Sequence, residues 1–226
     1  MKHRLIVLAA GAAIVGFGQM AEGADLPQPP TALIAVPSSW TGPYLGVEAG
    51  YVFGSTSVTD AGVVTETNAP TNGGLIGLLA GYNWQFDDLW LAGVEGDVSL
   101  ESVHGNGVVI NPPPPPPAEP NSYDANWAAN LRGRIGYLIA PDTLLFGAGG
   151  LALTDLRFTE GTVPTGVTRI GWTVGAGIEQ KFSDSLVGRL EFLHSDYGNV
   201  TYGVPPDDYV IGFSDNTVRG ALIWKY

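Results

Sequence analysis

From Trp40 onward, eight stretches of the chain place apolar residues at every second position, the period of a strand with one apolar face. They span about 42–54, 73–86, 90–102, 126–139, 143–156, 168–182, 186–196 and 213–226. In the first, Leu45, Val47, Ala49, Tyr51 and Phe53 fall on one side, and Gly46, Glu48 and Gly50 on the other. In the third, Ala92, Val94, Val98 and Leu100 oppose Gly93, Glu95, Asp97, Ser99 and Glu101. In the sixth, Trp172, Val174, Ala176 and Ile178 oppose Thr173, Gly175, Gly177, Glu179 and Lys181. The fifth breaks the pattern: Phe146 and Leu151 have opposite parity, and Gly149-Gly150 between them reads as a bulge.

The connections are sorted by length. Asp87-Asp88-Leu89, Ala140-Pro141-Asp142 and Ser183-Asp184-Ser185 are tight, whereas 55–72, 103–125, 157–167 and 197–212 are long, and the two kinds alternate strictly. In an up-and-down meander, that alternation puts every long loop at one end and every short turn at the other. A soluble sandwich has no reason to sort its loops in this way. The predicted fold is all-β: an eight-stranded antiparallel up-and-down transmembrane β-barrel with four long extracellular loops and three short periplasmic turns. A ten-residue strand tilted by about 40° rises about 25 Å, the height of the apolar band of such barrels. Closure pairs every backbone N–H and C=O, as hydrocarbon requires. Tyr82, Trp84, Trp90, Trp172, Trp224 and Tyr226 lie toward strand ends, as interfacial girdles would.

Composition removes other classes. Charged residues make up 14% of the 226, against about 25% in an ordinary soluble domain. A net charge of −12 argues against a nucleic-acid partner, and the absence of cysteine excludes disulfides, thiolate catalysis and zinc–thiolate sites. Lys2 and Arg4 precede a short apolar run, Leu5 to Phe17, and Ala21 and Gly23 suit a cleavage site after Gly23. Residues 1–23 are thus expected to be a signal peptide for export, 24–39 a Pro-rich periplasmic segment, and 40–226 the barrel. The prolines Pro112–Pro117 fall in the second long loop and read as a stiff polyproline stretch.

Parity fills the lumen with charge. Glu48, Glu95, Asp97, Glu101, Glu179 and Glu191 are expected to point inward with Arg132, Arg134, Arg169, Lys181, Arg189, Arg219 and Lys225. Counting from the short-turn end sets Glu95 and Asp97 level with Arg134 and Arg132, Glu179 level with Arg189, and Glu48 level with Arg219. An eight-stranded barrel has just enough room for side chains, so these charges are expected to form a salt-bridged plug rather than line a pore. Inward glycines leave space for them. No catalytic, cofactor-binding or metal-binding constellation emerges. Beyond the export signal, the only histidines are His104 and His194. His194-Ser195-Asp196 superficially suggests a lipid-A-modifying barrel enzyme, but neighbouring strand residues face opposite sides, so His194 and Ser195 cannot meet.

Several segments carry a family likeness: Trp40-Thr41-Gly42-Pro43-Tyr44-Leu45-Gly46, Gly81-Tyr82-Asn83-Trp84-Gln85, Gly93-Val94-Glu95-Gly96-Asp97, Val174-Gly175-Ala176-Gly177-Ile178-Glu179, and the closing run from Thr217 to Tyr226. Ala24-Asp25-Leu26-Pro27 adds to it. In order and spacing they resemble the porin-like opacity-type outer-membrane proteins of alphaproteobacteria, whose barrel is similar to the OmpA membrane domain. The resemblance implies residence in the Gram-negative outer membrane, contact with outer-membrane lipids and lipopolysaccharide, and a non-enzymatic part in envelope integrity and surface interaction. Some members of that family are described as haem binders or weak porins, so a narrow porin for small solutes is the alternative function. Val218, Leu222, Trp224 and Tyr226 share one face up to the last residue, and resemble the terminal signal read by the barrel-insertion machinery. Tyr226 stands where phenylalanine is commoner, and the proline run departs from the family pattern.

Overall fold

The computed structural model describes residues 39–60, 63–108, 120–160, 163–204 and 207–226. The expected signal peptide, the Pro-rich segment up to residue 38 and Pro112–Pro117 lie outside them. Eight strands follow one another: β1 (Gly42–Asp60), β2 (Val63–Gln85), β3 (Trp90–Val108), β4 (Pro120–Ala140), β5 (Thr143–Glu160), β6 (Val163–Lys181), β7 (Leu186–Val204) and β8 (Asp207–Lys225). Each pairs antiparallel with the next, and β8 pairs with β1, closing the barrel.

The register sets its dimensions. Stepping across the ladders from Gly42 leads through Asn83, Gly93, Arg134, Ala148, Gly175, Leu193 and Thr217 back to Val52, a stagger of ten residues on β1. Eight strands about 4.8 Å apart with that stagger tilt by about 40° and enclose a backbone cylinder about 8 Å in radius. Such a cylinder leaves no open bore once large side chains point into it.

Outward positions form an apolar belt. On β1 it runs from Leu45 to Phe53 and gives way to Ser55 and Ser57 above. Trp84, Phe86, Trp90, Tyr137, Phe182, Trp224 and Tyr226 ring its short-turn rim and are exposed, with Trp90 and Tyr137 edge to face at 5.0 Å. Tyr51, Phe53 and Trp172 ring the other rim. A belt of this kind has a solvent it matches, the hydrocarbon of a bilayer between two interfaces.

Two expectations change. Among the described residues, most of the stretches read as long loops are paired strand: β1 continues to Asp60 and β2 begins at Val63, so the span 55–72 is almost entirely hairpin arm. The described residues of 103–125, 157–167 and 197–212 are likewise strand. Beyond the belt the outer face turns polar, as at Ser55 and Ser57, so hydrophobic alternation fades while the hydrogen-bonded ladder goes on. The fifth strand also has no bulge at Gly149-Gly150. Its register runs without a shift from Leu144 to Thr154 on β4 and across β6. Phe146 is inward and buried, and Leu151 is outward. A bulge does occur in β4, between Ala125 and Ala128, where the outward Asp155 carboxylate accepts the backbone N–H groups of Asn126 at 2.9 Å and Trp127 at 3.0 Å.

Candidate functional site

The lumen is layered. At the short-turn end Trp40, just before β1, is 1% exposed and packs with Tyr44, Leu79, Leu91, Leu144, Phe146 and Ile223. At the other end Val52, Leu75, Val103 and Ala125 form one apolar cluster, and Ala152, Leu156, Tyr197 and Phe213 another. Between these layers the barrel holds four arginines and five acids, none more than 6% exposed.

Each arginine is shared. Arg132 donates to Glu95 at 2.5 Å, Asp97 at 3.0 Å and Glu191 at 2.6 Å. Arg219 reaches Glu48 at 2.8 Å, Asp97 at 3.0 Å and Glu191 at 2.9 Å. Arg189 grips Glu95 with both terminal nitrogens, at 2.8 and 2.6 Å, and donates to Glu179 through Nε at 2.8 Å. Arg134 donates to Glu179 at 2.7 Å and lies 3.5 Å from Glu95. Glu95 is the hub, since the Tyr44 hydroxyl also donates to it at 2.8 Å. Guanidinium suits this position, because one planar fork can satisfy two or three carboxylates at once.

Glycine clears the space. A Cβ on Gly77 would sit 2.9 Å from Glu48 Oε1, and one on Gly93 would sit 3.0 Å from Arg134 Cγ. A methyl at either place would push the charged side chain out of its contacts.

Of the pairings expected from height alone, Glu48–Arg219, Asp97–Arg132 and Glu179–Arg189 are in contact, and Glu95–Arg134 is the long one. Strand-by-strand counting could not find the contacts that cross the barrel. Arg189 on β7 meets Glu95 on β3, and Arg132 on β4 meets Glu191 on β7, because an arginine can span much of an interior this narrow. It also missed Phe146, whose ring lies 4.4 Å from the Arg134 guanidinium carbon and 5.0 Å from that of Arg189. The inward aromatic faces two cations, an interaction that parity does not encode.

The floor was likewise hidden. Trp40 Nε1 donates to the Pro141 carbonyl at 3.2 Å, and its backbone N–H to Gln85 Oε1 at 3.0 Å. The Lys181 and Lys225 ammonium groups lie 4.4 and 5.4 Å from its ring and both donate to the Ser39 carbonyl. Lys181 and Lys225 therefore close the short-turn mouth instead of joining the central network. Glu101 and Arg169 face inward above that network, Arg169 donating to the Ile211 carbonyl at 3.2 Å.

The remaining candidate residues face outward or apart. Val218, Leu222, Trp224 and Tyr226 are all exposed on the belt. His194 faces out at the belt's rim, 3.0 Å from Asn216 and edge-on to Trp172, while the adjacent Ser195 is buried inside and donates to Thr173. His104 is exposed on β3 and lies 2.6 Å from Asp124.

The model of the outer membrane protein beta-barrel domain matches residues 10–215. The chain is 31% identical to the 31 kDa outer-membrane immunogenic protein of Brucella melitensis, with 98% of this chain and 99% of that protein covered. It is 32% identical to the 22 kDa outer membrane protein of Rhizobium leguminosarum, covering 83% of this chain and 79% of the relative. Among solved structures, the outer membrane protein OprG of Pseudomonas aeruginosa shares the fold, with a TM-score of 0.51 at 10% identity over 84% of this chain and 99% of that one. The chain therefore belongs to the outer membrane protein beta-barrel domain family, and the Gram-negative outer membrane is where it resides.

Proposed function

We propose that this barrel is a non-conducting, non-enzymatic element of the outer membrane that supports the envelope and presents its outer hairpins to the surroundings. The observation that carries this reading is the occluded lumen: a charge network with apolar packing above and below and Trp40 across the short-turn mouth. A water-filled path would require exposed charges along the bore, whereas every member of the network is at least nine-tenths buried. That the Brucella melitensis relative is called an outer-membrane immunogenic protein is in keeping with display at the surface. The outward belt would contact outer-membrane lipids and lipopolysaccharide, and the terminal face of Val218, Leu222, Trp224 and Tyr226 would be read by the insertion machinery. The test is single-channel recording of refolded protein, with lipopolysaccharide assayed in the native preparation. Rare or no openings with bound lipopolysaccharide are expected. A stable, large conductance in the unaltered protein overturns the reading in favour of a narrow porin.

A further inference from the structure

Directly above the aromatic rim, the outer wall of β1, β8 and β7 carries a polar recess. Ser55 pairs with Ser214 and Ser214 with Asp196; in the next row Ser57 pairs with Gly212 and Gly212 with Asn199. The row below is Phe53, Asn216 and His194. A rise of two residues at a tilt of about 40° sets Ser55 about 5 Å above Phe53, at the level of lipid headgroups. The recess holds about 250 Å³, short of a drug-sized pocket and suited to a group of one ring.

A bulge builds it. From Asp196 to Asn199 β7 takes three steps while β8 takes two, from Ser214 to Gly212. Plain alternation after the buried Tyr197 would turn Asn199 into the lumen; the extra residue turns it out to the exposed face. Gly198 makes the left-handed turn, at a φ of 64°, and the Asp196 carboxylate accepts its N–H at 2.7 Å. Opposite the bulge, Gly212 keeps the floor open: a Cβ there would lie 2.6 Å from Asn199 Oδ1 and 2.8 Å from Ser57 Oγ.

The chemistry at the recess is selective. It offers the hydroxyls of Ser55, Ser57 and Ser214, the Asn199 amide and the Asp196 carboxylate, and no lysine or arginine among the described residues lines it. A phosphate would meet the negative charge of Asp196 with no cation to offset it. A neutral sugar suits the same groups, since a carboxylate accepts from hydroxyls while hydroxyl and amide groups both donate and accept. Trp172, half-exposed on β6, is the register partner of Asp196 and offers an apolar face to the C–H groups of a ring. We propose that this recess binds one neutral sugar in the headgroup of an outer-leaflet glycolipid whose acyl chains lie on the belt below. The lipid is the source because the recess stands on the rim of the belt and not at the upper end of β1, Asp60. The assignment rests on the reading above that the belt contacts outer-membrane lipids.

The experiment is native mass spectrometry of refolded full-length barrel with two lipids of matched acyl chains, monogalactosyl diacylglycerol and phosphatidylglycerol. One galactolipid should be retained in preference to the phospholipid. Asp196→Asn keeps an oxygen for the Gly198 N–H, and Gly212→Ala fills the floor; each should reduce that preference by about threefold to tenfold, the worth of one hydrogen bond. Ser122→Ala on β4, four strands from β8, should leave it unchanged. Heat-dependent gel mobility shows whether each variant is folded. Equal retention of the two lipids by the unaltered barrel, or a preference unchanged in both folded recess variants, overturns the proposal. Full competition by equimolar methyl galactoside would make a soluble glycan the ligand and overturn the lipid source. Lipopolysaccharide in the native preparation tests the belt separately. Its presence alongside equal retention of the two test lipids removes the recess and leaves the belt contact standing; a galactolipid preference without bound lipopolysaccharide keeps the recess and removes that contact.

Discussion

Replacing Glu95 with glutamine removes one negative charge from a site bordered by three guanidinium groups. Its carboxylate accepts from Arg132 at 2.5 Å and from Arg189 at 2.8 and 2.6 Å, with Tyr44 at 2.8 Å and Arg134 3.5 Å away. Hydrogen bonds to charged groups contribute about 1.5–3 kcal/mol each, so three arginine contacts set an upper bound of about 5–9 kcal/mol. The arginines keep other partners: Arg132 retains Asp97 and Glu191, and Arg189 retains Glu179. The expected loss is therefore about 3–5 kcal/mol, as for breaking a buried ion pair. With a urea dependence of about 2 kcal/mol per molar, the unfolding midpoint should fall by about 2 M. The control is Glu48→Gln. Glu48 is as deeply buried, yet only Arg219 bonds to it and its Oε2 has no partner, so its loss should cost no more than about 1.5–3 kcal/mol. Urea unfolding of refolded barrel, read by tryptophan fluorescence and gel mobility, measures both. Equal effects below about 1 kcal/mol that shrink further with salt would mean that water solvates the network, and would refute the dry-lumen argument.

Three other outcomes follow from the same geometry. Exchanging the charges of the closing pair, Glu48→Arg with Arg219→Glu, should fail to restore the stability lost in Arg219→Glu, because a carboxylate at position 219 would face Asp97 and Glu191; full recovery in a double-mutant cycle would show that the pair acts alone. Deleting Trp224 to Tyr226 should leave exported protein degraded or aggregated in the periplasm, a result contradicted by normal surface levels in fractionated cells. Trp40→Ala should destabilise the barrel by about 3–5 kcal/mol through lost packing, yet add no lasting conductance in planar bilayers, since the charge network still blocks the bore.

What could be read in advance depended on which rule governed each residue. Strands β1, β3 and β6 were legible because hydrocarbon on one side and charge on the other enforce strict alternation. The inward placement of Glu48, Glu95 and Arg219 is a consequence of that parity. Phe146 was not legible, since an apolar ring inside a charged lumen makes sense only once Arg134 and Arg189 are seen beside it. The Glu95–Arg189 contact joins strands that are not neighbours and depends on the barrel's radius, which follows from the stagger rather than from any local pattern. The hairpin arms carry no clear strand signal, because a polar outer face such as Ser55 and Ser57 erases the alternation while backbone pairing persists. Trp40 lacked a signal altogether: nothing in its flanking residues announces that the chain turns into the mouth before β1 begins.

Those arms alter what change at their tips can do. Beyond Phe53, β1 continues for seven residues, Gly54 to Asp60, a further rise of about 17 Å at the same tilt. The upper end of β1 thus lies away from both the membrane and the buried charges. Extra residues inserted between two arms would cost mainly loop-closure entropy, about 0.6 kcal/mol for each doubling of loop length, and would leave the register of the wall untouched. The wall then acts as a mast, and the sequences at its top can drift under selection by whatever meets the cell while the hull below stays the same.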